Sequence, residues 1–120
     1  MGKRAVAITG LGVLSPIGQS IAEVMDSLRA GRSGIAAVRL EPLAKAIPAG
    51  VVIGDFEEPF SRLERPFMDR VQHFAVLAAR QAIADAGVED FAAYGLRAGV
   101  YCGNVNGGAA SVQSWAQSLL

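Results

Sequence analysis

Neither sign of charge is in excess: eleven lysines and arginines balance eleven acidic residues among 120. Nucleic-acid or membrane-surface partners call for a basic excess or a clustered basic face, so neither is expected. Cysteine and histidine occur once each, as Cys102 and His73. A single cysteine excludes an internal disulfide and fits a reducing compartment. Apolar runs approaching the ~20 residues needed to cross a bilayer are missing. The opening Met1–Ile8 is basic and then apolar, like a signal peptide, yet it breaks at once into Thr9-Gly10-Leu11-Gly12 with no cleavage-site pattern. Val6 stands where myristoylation would want Ser or Thr. What the chain does have is hydrophobicity, 52% apolar residues against 18% charged, which speaks against disorder. The composition predicts a soluble, cytoplasmic α/β domain.

Arg4–Thr9 is a short apolar run ending in glycine, read as a strand buried on both faces. After a turn-rich stretch from Gly10 to Gly18, Ser20 can cap a helix in which Ile21, Val24, Met25 and Leu28 recur at helical spacing. Glu23 completes a capping box, and Gly31 stands where a left-handed residue closes a helix. Residues 32–48 have no period and contain Pro42 and Pro48, so they read as a loop. Val51-Val52-Ile53 is a short strand candidate. The strongest helix pattern runs from about Pro66 to Ala86, with Phe67, Val71, Phe74, Ala78, Ala82 and Ile83 on one stripe and Gly87 as its end. Arg97–Cys102 reads as a further strand, running into Gly103–Gly108 and then a last helical stretch. Strands alternating with helices predict parallel pairing through right-handed crossovers. Apolar strands of that kind need cover on both faces, which predicts an excerpt from a larger sheet.

Ala7-Ile8-Thr9-Gly10-Leu11-Gly12-Val13-Leu14-Ser15-Pro16-Ile17-Gly18 resembles the opening of the ketosynthase family of fatty-acid and polyketide synthesis. The resemblance continues through Leu28-Arg29-Ala30-Gly31-Arg32-Ser33-Gly34-Ile35, Met68-Asp69-Arg70, Ala82–Gly87, Gly99-Val100-Tyr101 and the Gly107-Gly108 pair. It covers nearly all of residues 1–120 in the right order. It implies the amino-terminal part of a β-ketoacyl-[acyl-carrier-protein] synthase with the layered, thiolase-like α/β fold. It also implies acyl carrier protein and acyl and malonyl thioesters as partners, a homodimer when complete, and no metal or redox cofactor. The family's nucleophilic cysteine and its two histidines lie further along than these residues, so no catalytic residue is expected in this chain and the 120 residues alone are expected to be inactive.

By the same resemblance, Asn106, Gly107 and Gly108 fall at the wall of the acyl pocket. The residue before the paired glycines helps to gate chain length in the family, and Asn106 stands there in place of an apolar or small residue. An amide facing the pocket would need partners and would disfavour a long alkyl chain; the other reading is that Asn104 and Asn106 serve only the turn. Arg62, Arg65 and Arg70 fall where relatives hold the acidic carrier protein. Cys102, in an apolar strand with no base near it in sequence, reads as a buried structural thiol. His73, in mid-helix, reads as packing or surface.

Other readings compete. Gly10-Leu11-Gly12 follows a strand and precedes a helix, as in a dinucleotide site, but Ser15 stands where the third glycine of that fingerprint belongs. A non-catalytic chain-length-factor-like partner subunit and a truncated, non-functional product are the remaining rivals.

Overall fold

The computed structural model describes residues 5–39, 45–105 and 107–119. Its elements are helix α1 (Ile21–Arg29), strands β1 (Ile35–Val38) and β2 (Ile47–Gly50), helix α2 (Arg70–Asp85) and helix α3 (Ala109–Ser118), with 3₁₀ turns at Arg65–Phe67 and Phe91–Arg97. The chain divides into two units, Met1–Gly54 with Leu77–Gly87, and Asp55–Val76 with Val88–Leu120.

In the first unit α1 begins and ends on the expected residues. The Ser20 hydroxyl accepts the backbone N–H of Glu23 at 3.3 Å, while the Glu23 carboxylate reaches the N–H of Gln19 at 2.7 Å, one residue earlier than a standard capping box. At the other end Gly31 turns left-handed (φ 62°). Its N–H donates to Leu28, and that of Arg32 donates to Ser27, the paired bonds of a Schellman closure. Ser27 is buried; its hydroxyl donates to the carbonyl of Ile17 at 2.5 Å and accepts from the Arg32 guanidinium at 3.2 Å.

The segment before α1 lies against the carboxy-terminal half of α2. Leu11 N–H donates to the Asp85 carboxylate and Val13 N–H to the Gln81 side-chain oxygen, both at 2.9 Å, while the Gln81 amide donates to the carbonyl of Gln19 at 2.8 Å. This closeness depends on glycine. A Cβ on Gly10 would fall 2.1 Å from the carbonyl oxygen of Ala82, and one on Gly12 would fall 1.9 Å from that of Ala78. The matching small residues recur every four positions, Ala78 and Ala82 on one face of the helix and Ala86 just past its end.

Three expectations need correction here. The loop placed at 32–48 contains β1 and the start of β2, which pair antiparallel with Ile35 opposite Gly50 and Val38 opposite Ile47; Pro42 lies outside the described residues. Val51–Ile53 is not a strand; the strand ends at Gly50. Of the run Arg4–Thr9, Arg4 lies outside the described residues, and Ala5–Thr9 is unpaired with Val6 and Ile8 exposed. A strand exists only where a neighbour takes its alternate N–H and C=O groups. Among the described residues no such neighbour is present, and the pairing that is present is antiparallel rather than parallel.

The second unit is built on aromatic rings. Phe56 and Phe60 are buried. Phe56 meets Phe74 edge-on with centroids 4.9 Å apart, and Phe60 lies 4.8 Å from the ring of His73. The long helix starts four residues later than expected. Pro66 and Phe67 belong to the 3₁₀ turn, which ends at an extended Met68, and Phe67 is solvent-exposed rather than on the helical stripe. Asp69 then opens α2: its N–H donates to the Gln72 side chain at 2.5 Å, the backward half of a capping box. Arg97–Cys102, expected as a strand, begins at the end of a 3₁₀ turn and continues unpaired, with Val100 and Tyr101 exposed.

Candidate functional site

Of the residues singled out from the sequence, Arg62, Arg65, Arg70, Gly107 and Gly108 lie in the second unit, in two places. The first is the stretch leading into α2. Arg65 donates from Nε to the carbonyl of Phe60 at 2.9 Å and from Nη2 to that of Glu58 at 3.1 Å, closing the turn that carries both buried phenylalanines. The Arg70 guanidinium lies 5.2 Å from the Phe56 ring centroid and 5.0 Å from that of Phe74. Arg62 is exposed, and no partner for its side chain is found among the described residues. The three arginines therefore divide into two that hold the aromatic cluster and one that faces outward.

Asp55 opens the same turn. Its carboxylate accepts the N–H groups of Glu57 at 2.9 Å and Glu58 at 3.2 Å, which hold it below the usual carboxylate range against a smaller opposing effect of burial, with the Arg65 charge adding to them. His73 is buried against the Phe60 ring, and its Nε2 has no hydrogen-bond partner among the described residues.

The second place is the turn before α3. Gly107 N–H donates to the Asn104 side-chain oxygen at 3.1 Å, and a Cβ on Gly107 would fall 2.4 Å from that same amide group. Gly108, at φ 83°, is the N-cap of α3 and has no side chain to cap it. Asn106 lies outside the described residues. A cleft of about 400 Å³ lies between Val71, Gln72 and Ala75 of α2 and the stretch Tyr101–Asn104. A second, of about 550 Å³, is lined by Gly107 and by Ala109, Val112 and Ala116 of α3. Cys102 borders the first cleft and is exposed, which corrects the expectation of a buried thiol: an unpaired strand leaves its side chains open.

Sequence reasoning missed Asp69 and Ser111. The Ser111 hydroxyl donates to Asp69 Oδ2 at 2.5 Å. That bond, with the backbone N–H groups of Arg70, Ser111 and Val71, holds the Asp69 carboxyl below its ordinary value against a smaller opposing effect of burial. Asp69-x-x-Gln72 is a legible capping signal; the reach to Ser111, 42 residues on, is not.

Among the described residues no cluster of three His, Cys, Asp or Glu is placed to hold a metal ion, and no helix is long and apolar enough to cross a membrane. The first-unit glycines bear on the dinucleotide reading. Gly10 and Gly12 face α2 at distances that leave no room even for a methyl group, so that packing accounts for them without a phosphate.

Comparison with known proteins agrees along the whole chain. Residues 3–118 match the family model described as the β-ketoacyl synthase N-terminal domain. The 3-oxoacyl-[acyl-carrier-protein] synthase 2 of Synechocystis is 39% identical over 70% of this chain and 21% of its own length. That of Vibrio cholerae is 32% identical over 100% of the chain and 30% of its own length. A relative in Streptomyces violaceoruber that bears a granaticin polyketide β-ketoacyl synthase name is 34% identical over 92% and 27% respectively. The chain thus spans between about a fifth and a third of the length of these relatives. On a match that runs from residue 3 to residue 118, the chain belongs to the β-ketoacyl synthase family.

Proposed function

We propose that these residues form the amino-terminal part of a 3-oxoacyl-[acyl-carrier-protein] synthase with the layered thiolase-like fold, working as a homodimer in fatty-acid or polyketide synthesis. The match over residues 3–118 carries this reading. The reaction is decarboxylative Claisen condensation. An acyl group passes from a carrier thiol to a cysteine thiolate, releasing the carrier. Malonyl-carrier protein then loses carbon dioxide, and the resulting carbanion attacks the acyl thioester, so that a carbon–carbon bond forms as the cysteine leaves. The nucleophile and the two histidines that stabilise developing negative charge are contributed from beyond these 120 residues. Cys102 serves no step.

The part played by this chain is structural and selective. Asn106, Gly107 and Gly108 form part of the acyl-pocket wall. Arg62 meets the acidic carrier protein, while Arg65 and Arg70 hold the platform from which it projects. The exposed apolar side chains of Val6, Ile8, Val100 and Tyr101 support placing these segments within a larger sheet.

The test is intact mass of the complete protein, with a Cys102→Ser variant, before and after treatment with a thiol-directed condensing-enzyme inhibitor such as cerulenin. One stoichiometric adduct that persists in the variant, together with elongation of a carrier-linked primer, is expected. A protein that takes no adduct and elongates nothing would be the non-catalytic partner subunit instead. An adduct lost in the variant would make Cys102 the reactive thiol and overturn its assignment.

A further inference from the structure

α3 starts on a residue with no side chain, so its first-turn N–H groups must find acceptors elsewhere. One acceptor that reaches this turn is the Asp69 carboxylate, which takes the Ser111 hydroxyl at 2.5 Å. Asp69 itself stands at the start of α2, where its own N–H donates to the Gln72 side chain. One side-chain bond therefore ties the first turn of α3 to the start of α2. Both ends of the turn between the helices' clefts are held in this way: Asn104 takes the N–H of Gly107 at one end, and Asp69 holds Ser111 just beyond Gly108 at the other. Two residues along α2 from Asp69, Val71 begins the wall of the cleft that Asn104 closes from the opposite side.

We infer that Asp69, acting through Ser111, is a positioning residue that sets where the Gly107–Gly108 turn and α3 stand, and thereby which acyl chains the pocket admits. The selectivity half of this inference rests on the ketosynthase reading above; the tie between the helices does not. A side chain that caps α2 alone would leave the turn and the chain-length profile untouched on removal. A tie to α3 couples the two, and its loss lets the turn move without touching the reacting groups.

The experiment uses the complete protein with Asp69→Ala, Asp69→Asn, Ser111→Ala and the double variant of the two alanines. Hydrogen exchange of peptides covering residues 104–118 is expected to quicken by about three- to tenfold in each alanine variant, the range for losing one charge-assisted bond at a partly screened site. Asp69→Asn, which keeps an acceptor for Ser111 but no charge, should fall between wild type and Asp69→Ala. The double variant should match Asp69→Ala, since both changes remove the same bond. In parallel, the ratio of kcat/KM for long and short primers should shift by about threefold or more, with kcat on the preferred primer within about twofold of wild type. Unchanged exchange in both alanine variants would overturn the tie. Rates that fall equally for every primer would overturn the selectivity role. A wild-type protein that elongates no carrier-linked primer would count against the ketosynthase reading, and the selectivity role would go with it, while the exchange result would still decide the tie.

Discussion

Two glycine pairs stand at opposite ends of the sequence, and they are required for different reasons. Gly10 and Gly12 are obstructed by backbone: the atoms that a methyl group would strike are the carbonyl oxygens of Ala82 and Ala78, part of the hydrogen-bonded frame of α2. Gly107 is obstructed by a side chain, the Asn104 amide, and Gly108 by its own conformation at φ 83°. An obstacle made of helix backbone cannot give way without breaking the helix. An obstacle made of one amide can be moved, and a left-handed residue can be relaxed by shifting the turn. The amino-terminal segment is therefore fixed against α2, whereas the turn before α3 is adjustable.

The largest effect should come from Gly12→Ala. Its methyl group would lie 1.9 Å from an oxygen that cannot retreat, so the segment must lift away from α2. The expected loss is about 3 kcal/mol, the upper range for overpacking, read from the denaturant midpoint. Ala78→Gly should restore nothing, because the blocking atom belongs to the backbone. A rescue by that second change would break the distinction between the two pairs. Gly107→Ala offers the converse: Asn104→Ala should recover most of its loss, since the obstacle goes with the side chain.

Gly108→Ala ranks next, at about 1–2 kcal/mol for forcing a β-carbon into the left-handed region. Gly108→Asn should cost less, because asparagine tolerates that region better. Equal costs for the two variants would mean that space rather than dihedral angle restricts this position, and the open surroundings of Gly108 argue against that: the nearest atom to an added Cβ is Asp69 Oδ2 at 3.8 Å.

The same contrast governs what could be read in the sequence. Local signals were legible because they close within a few residues: Ser20 with Glu23, Gly31 after α1, Gly87 after α2 and the start of α3 after Gly108. Gly10-Leu11-Gly12 was visible as a motif, but its reason lies on a helix nearly seventy residues away and could not be. Strands were the least legible elements. Arg4–Thr9 and Arg97–Cys102 have the composition of buried strands, yet a ladder depends on a partner that composition does not name. Conversely, Ile35–Val38 pairs with a segment containing Pro48, which argued against a strand. Of the site, the arginines and the paired glycines were found by likeness to a family. Which arginine faces outward, and that Asp69 reaches Ser111, follow only from the folded chain.

The smallest effect concerns pH, and it separates the two regions again. Beyond Leu11, which the Asp85 carboxylate holds, the amino-terminal segment is held to α2 at Val13 and Gln19 through the Gln81 amide, a group that carries no acid-range proton. The second unit relies on the Asp55 and Asp69 carboxylates, both held below their ordinary value of 3.8 by hydrogen bonds that only the ionised form accepts fully. A carboxyl lowered in the folded state contributes stability that is complete above the unfolded value and is lost as pH falls through the folded one. Below pH 3.8, then, the Asp55 turn and the turn into α3 should loosen first. Hydrogen exchange corrected for its intrinsic pH dependence should quicken in peptides covering residues 55–60 and 107–112 before it does in residues 13–18. Asp55→Asn should flatten the response of the first of these peptides and leave that of the second, because each carboxylate serves its own turn. Simultaneous loosening of all three peptides would mean that the regions unfold as one, and the difference between a fixed segment and an adjustable turn would not survive it.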